Sequence, residues 1–232
     1  MQRGETGKGK GSVSKVAALT VICLLSVGNA NAGEILSGSD NTSLNTDSLV
    51  VGGQQNTAGS TEATSNGTPI GNHAVVVSGF NNLASGSQSF VGAGLDNVAS
   101  GLYSFIGAGA RNIVNATSDA SVIVGGSDNF VQGANSGILT GRKNEIYGAN
   151  STIGGGYQNK IEAFDDLVKG TVETAESSVI AGGFNNRIDG RADNSAIGGG
   201  SHNRAIGINS TVAGGGGTFT ENGQTFLLGN TA

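Results

Sequence analysis

Between residues 47 and 217 the apolar positions follow neither the 3.6-residue spacing of a helix nor a long strand alternation. They recur in a fixed nine-residue phrase. SFVGAGLDN (Ser89 to Asn97) and SFIGAGARN (Ser104 to Asn112) are two copies fifteen residues apart. Each joins a short β-branched or aromatic run to glycines and closes on an asparagine. The closing asparagines are Asn56, Asn82, Asn97, Asn112, Asn129, Asn144, Asn159, Asn186 and Asn203, and a tenth copy beginning at Ser210 has Thr218 at that place. Eight residues earlier stands a serine in every copy but one, where Ala74 replaces it. Six earlier is always Val or Ile, and three earlier always Gly. A short unit repeated in one frame predicts a solenoid.

Intervals between the asparagines are 26, 15, 15, 17, 15, 15, 27 and 17 residues. All extra length falls after an asparagine and before the next serine position. The phrase predicts one strand of a coil and the variable side a second, returning strand. In the phrase, Ser, Val/Ile and a small residue alternate and share one face, the interior of a narrow roll. The return strand adds an interior residue two positions past the asparagine: Ala58, Ala84, Ala99, Val114, Val131, Ile146, Ile161, Ile188 and Ala205. The fixed glycine suits positive φ. The asparagine suits the corner, with left-handed backbone of its own, either as a plain turn residue or as one rung of a ladder of stacked amides.

The opposite face of the phrase carries Leu49, Val75, Phe90, Phe105, Val122, Leu139 and Val179 among small residues and no charge. Soluble monomers rarely expose so continuous an apolar surface, so these seven residues are candidates for contact between copies in a cyclic homo-oligomer. A sheet covered on both sides is the expected result.

Composition fits this picture. There are 42 Gly in 232 residues, 12% charged residues, one Cys and no Trp. Glycine at this density without a triplet period excludes collagen. Residues 1–32 have the form of a secretory signal: Arg3, Lys8, Lys10 and Lys15 precede the apolar run Val16 to Val27, and Ala30-Asn31-Ala32 resembles a cleavage site. Cys23 lies inside that run, so the exported chain is expected to hold no disulfide. Without residues 1–32, eight bases and sixteen acids remain, a formal charge of −8. That balance argues against nucleic acid and anionic lipid as partners, and no remaining stretch is apolar enough to span a membrane as a helix. Residues 33–46 read as a polar leader or atypical cap, 47–217 as repeats with insertions at 59–73 and 160–177, and 218–232 as a C-terminal cap or tail.

The coil S-x-V/I-x-G-G-x-x-N, as in SVIVGGSDN, SVIAGGFNN and STIGGGYQN, resembles the head repeats of trimeric autotransporter adhesins of the YadA-like type. The resemblance covers about residues 47–217. It implies an all-β solenoid, a left-handed parallel β-roll of about ten coils of about 15 residues, three chains side by side. It also implies display at a bacterial surface for attachment to host matrix or cells. The segment after Gly217, TFTENGQTFLLGNTA, has no heptads and room for one strand (Thr225 to Leu228), so the resemblance extends to the head and not to a stalk or membrane anchor.

Catalytic and metal chemistry finds little support. His73 and His202 have no second histidine, cysteine or patterned carboxylate beside them in sequence. Glu162, Asp165, Asp166, Glu173 and Glu176 form an acidic group in the second insertion, without the alternating oxygen ligands and central Gly of a calcium loop, and read as a solvated loop. The glycine triplets lack the G-K-S/T of a phosphate loop, and no G-x-S-x-G elbow occurs. Neither enzyme nor cofactor is expected. Other solenoids fit poorly: hexapeptide acyltransferases need a period of six, calcium-binding nonapeptides need an Asp this repeat lacks, and ice-binding rolls need regular Thr ranks. Two functions are expected to compete. One is an adhesive head on the order of 45–50 Å long at ~4.8 Å per coil, with the two insertions as its contact surfaces. The other is a building block of an extracellular fibre or sheath formed by end-to-end stacking.

Overall fold

In the computed structural model residues 33–45, 47–62, 71–166, 171–221 and 224–227 are described. The signal-like segment lies outside them. The described chain is a parallel β-solenoid of eleven turns, and among the described residues there is no helix. Each turn gives a two-residue strand to an eleven-stranded sheet and another to a twelve-stranded sheet. A single bridge two residues before the asparagine forms a third line of contact, as from Phe80 to Leu95 to Ala110. Register never slips: Phe90–Val91 pairs with Phe105–Ile106, and Val98–Ala99 with Ile113–Val114.

Eleven turns rather than ten follow because the stretch read as a leader is itself a turn. Glu34–Ile35 pairs with Leu49–Val50, and Thr42–Ser43 with Thr57–Ala58. Its Ile35, Gly38 and Asn41 occupy the frame, with Gly33 at the serine place. The second sheet ends in an antiparallel pair, Thr218–Glu221 with Gln224–Leu227, where one strand was expected.

The interior is two columns of fully buried aliphatics. At the amino-terminal end they pair as Val50 with Ala58, Val76 with Ala84 and Val91 with Ala99. In the middle they become Ile138 with Ile146, Ile153 with Ile161 and Ile180 with Ile188. Four more carbons per turn correspond to about 3 kcal/mol of additional transfer free energy.

One corner is polar, yet it is as buried as the core. Asn56, Asn97, Asn112, Asn144, Asn159 and Asn186 have no exposed surface. Asn112 donates through Nδ2 to Asn97 Oδ1 (3.1 Å) and to Gly126 O (2.9 Å), and its Oδ1 accepts from both N and Nδ2 of Asn129. The asparagines therefore form a ladder, and of the two readings open in the sequence the plain turn residue is excluded. The ladder satisfies amides that would otherwise be costly to bury. It begins at Asn41, whose Oδ1 accepts from Asn56 N.

The asparagine is not the left-handed residue of its corner. That conformation belongs to the residue before it, such as Asp96 (φ 55°), and to the residue before each serine, such as Gln88 (φ 58°). Each donates its N–H to the preceding turn, Asp96 to Phe80 O and Gln88 to Asn72 O, which offsets the backbone cost. The glycine three places before the asparagine does take positive φ, and for a second reason it must be glycine. A Cβ on Gly109 (φ 110°) would lie 2.1 Å from Gly126 O and 2.7 Å from Asn112 Nδ2.

The serines form a second ladder in the later turns only. Ser151 Oγ accepts from Ser178 N (3.1 Å) and donates within reach of Ala149 O and Ala175 O. Ser89 and Ser104 are equally buried, but their hydroxyls meet no partner. Removing buried partners costs about 1–3 kcal/mol per group stranded, so Asn112→Ala and Ser151→Ala are expected to destabilise markedly, Asn112→Ala the more. Ser89→Ala strands no partner and removes a buried hydroxyl that has none, so it is expected to leave stability unchanged or to raise it. Denaturant unfolding of the three variants checks the order; a Ser89→Ala loss equal to that of Ser151→Ala would contradict it.

Candidate functional surfaces and groove

Three columns of outward side chains run along the roll, and each has its own chemistry. The first lies outside the eleven-stranded sheet and holds the seven candidate contact residues. The sheet brings all of them to one face. Phe105 (36% exposed), Leu139 (51%) and Val179 (44%) stand in the open, while Leu49, Val75, Phe90 and Val122 are half-buried by their neighbours. Phe90 and Phe105 stack with centroids 5.2 Å apart and planes within 4°. From Leu49 to Ala213 this face carries no ionisable side chain.

The second column, outside the twelve-stranded sheet, changes character along its length. Leu83, Val98, Ile113 and Phe130 give way to Glu145, Lys160, Arg187 and Arg204. Charges alternate across the sheet: Lys160 Nζ lies 3.1 Å from Glu145 and 3.6 Å from Glu162, Arg187 pairs with Glu162 and Asp189, and Arg204 Nη2 lies 2.5 Å from Asp189. Sequence reasoning missed this ladder. The signal was present in the residues one and three places after each asparagine, which alternate in sign from Glu145 onward.

Burial works against the charge on Lys160, but its hydrogen bond to Glu145 and the nearby Glu162 outweigh it and raise its pKa. On the third column, beside the asparagine corner, the Arg111 guanidinium 2.6 Å away holds the Asp128 carboxyl below the ordinary range despite some desolvation. The same column stacks Tyr157 on Phe184 (5.6 Å), with His202 edge-on to Phe184 (5.0 Å). The other histidine, His73, lies 3.3 Å from Asp47 in the preceding turn.

The second insertion is a hairpin rather than a loop. Ala163–Asp166 pairs antiparallel with Thr171–Thr174, while Lys160–Ile161 belongs to the regular ladder. Glu162 is fixed at its root, where its carbonyl accepts from Ala175 N and its side chain, 14% exposed, lies between Lys160 and Arg187. Asp165, Asp166 and Glu173 go out with the hairpin, and Glu176 stands at the following corner, where its N–H bonds Asp193. Among the described residues no three His, Cys, Asp or Glu group as a metal site, and no helix is long and apolar enough to cross a membrane.

At the first insertion Gly59 stays in the ladder, bonded to Ala84 O. The residues after it wall a groove of about 650 Å³. Its floor is the second sheet's outer face, with Leu83 and the bonded pair Ser85 and Ser100 (Oγ to Oγ 2.8 Å). Leu102 lines one side, and Glu62 and Asp119 also line it.

No family model and no curated protein matches the chain.

Exposed ion pairs are each worth roughly 1 kcal/mol or less, so Arg187→Ala is expected to leave the roll folded but to speed amide exchange at Ala175. A raised lysine pKa contributes fully below the unfolded value of 10.5 and is lost as pH rises through the folded one. Protection at the hairpin root, taken against the intrinsic exchange rate at each pH, is therefore expected to fall at strongly alkaline pH in the wild type and to be less pH-dependent in Lys160→Met.

Proposed function

We propose that this chain is an exported, homotrimeric head that attaches its bearer to host matrix, cells or other surfaces, its coil left-handed as in the YadA-like heads its repeats resemble. One observation carries the reading: a face of ten successive turns whose outward residues are apolar or small and uncharged from Leu49 to Ala213, with one charge, Glu34, on the turn before them. A face about 45 Å long at ~4.8 Å per turn and three residues wide at ~3.4 Å offers roughly 450 Å². A contiguous apolar patch of that size is often a functional one, and it is of the kind that copies of one chain bury together. The signal-like residues 1–32 support export, and the net charge of −8 after them supports protein or glycan surfaces over nucleic acid. The other two columns, the hairpin and the groove stay available for contact.

The end-to-end fibre has one observation against it. Gln224–Leu227 pairs antiparallel on Thr218–Glu221 and covers, at the carboxy-terminal end, the edge of one of the two sheets that head-to-tail stacking would use.

Light scattering on residues 33–232 is expected to give three times the chain mass. Phe105→Glu with Val122→Glu is expected to give monomers of unchanged far-ultraviolet circular dichroism. A stable wild-type monomer at micromolar concentration overturns the assembly. Attachment is tested separately: cells displaying the head are expected to adhere to serum- or matrix-coated plates, and head lacking residues 60–70 and 163–174 to lose most of that adhesion.

A further inference from the structure

The repeat is interrupted on its return side, and two of the interruptions lie on the same groove. Ser60, Thr61 and Glu62 come from the first insertion, while Ala116 and Asp119 come from the turn that is two residues longer than the standard fifteen. Between them the regular turns supply the floor and, through Leu102, one side. A groove bordered by irregularities at both ends is a local departure from a periodic surface, and its lining differs from the ladder of charges farther along the same face.

The lining selects a ligand class. Among the described residues it holds no Lys, Arg, His or aromatic side chain. With two carboxylates and no cation it disfavours a phosphate, sulfate or carboxylate, and with no exposed ring face it lacks a stacking platform for a sugar. It holds leucines, a row of hydroxyls and two carboxylates, Glu62 and Asp119, both exposed. Asp119 Oδ1 also accepts from Leu102 N (3.2 Å), which orients it. Apolar walls with a few placed polar groups, in a volume of this size, are the usual makeup of a ligand groove.

The spacing narrows the class. Three rungs separate the turn of Thr57, which carries the first insertion, from that of Ile113, which carries the longer corner. At ~4.8 Å per rung this is about 14 Å. An extended polypeptide advances about 3.3 Å per residue and points alternate side chains to one face, so residues i and i+4 are about 13 Å apart and face the same way. We propose that the groove binds an extended polypeptide segment with basic side chains at i and i+4, which meet Glu62 and Asp119, and an aliphatic one at i+2 over Leu83. The proposal rests on the attachment reading and names what the head recognises.

The test uses the purified head and fluorescein-labelled peptides by anisotropy. A peptide centred on Lys-Ser-Val-Ser-Lys is expected to bind at least fivefold more tightly than Glu-Ser-Val-Ser-Glu or the respaced Lys-Lys-Ser-Val-Ser. Glu62→Gln with Asp119→Asn, both exposed and the latter keeping its acceptor for Leu102, is expected to abolish that preference. Equal affinity for the three peptides, an unchanged preference in the double variant, or equally tight binding of spermidine would each overturn the assignment. Wild-type cells that adhere while the head shows no peptide preference would sink this inference alone; wild-type cells that do not adhere would sink the attachment reading.

Discussion

Every turn of this roll is tied to the next by one buried carboxamide. Asparagine is the side chain that can donate to the turn before, donate to a carbonyl of the turn after and accept twice at a single oxygen. Once each turn must deliver that amide to the same point, much else is determined. The glycine three places earlier leaves the space the amide occupies. The nine residues from serine to asparagine cannot change in length, because the valine or isoleucine between them must reach the interior in register. The return side is under no such demand after its second strand, and it is there that the chain lengthens, by two residues at some corners and by a hairpin at another.

Repeat, strand positions, both interior columns and the apolar outer face were legible because each is a property of one column read down the turns. What escaped was of three kinds. The first turn was hidden by Gly33 in place of a serine and by polar neighbours, although Ile35, Gly38 and Asn41 kept the frame. The left-handed corner residues were hidden because no single residue type marks them: Asp96, Arg111, Lys143 and His202 all occupy the same place. Their conformation is imposed by a bond to the preceding turn rather than by intrinsic preference, so composition could not reveal it. The alternating charges from Glu145 to Arg204 lay in columns where earlier turns carry aliphatics, and only spatial stacking turns them into pairs.

The contrast between columns bears on function. A surface evolved only for solubility would mix charge on all sides. Here charge is excluded from the first column between Leu49 and Ala213, and within the second it is absent over the turns that floor the groove. The same fifteen-residue unit thus supplies an apolar side, a side of paired charges and a grooved side, according to which of its outward positions varies.

The unequal interior has a mechanical meaning. Turns filled by two isoleucines are held by more apolar contact than those filled by valine and alanine, and in a solenoid each turn is held chiefly by its neighbours. Opening is therefore expected to be easiest at the two ends, at the Val–Ala turns near Val50 and at Ile197 with Ala205 and Val212, and hardest around Ile138 and Ile153. The groove floor, from Leu83 to Ser100, sits on the slender part of the shaft. The groove therefore lies over turns with the smaller interior residues, next to turns filled by paired isoleucines.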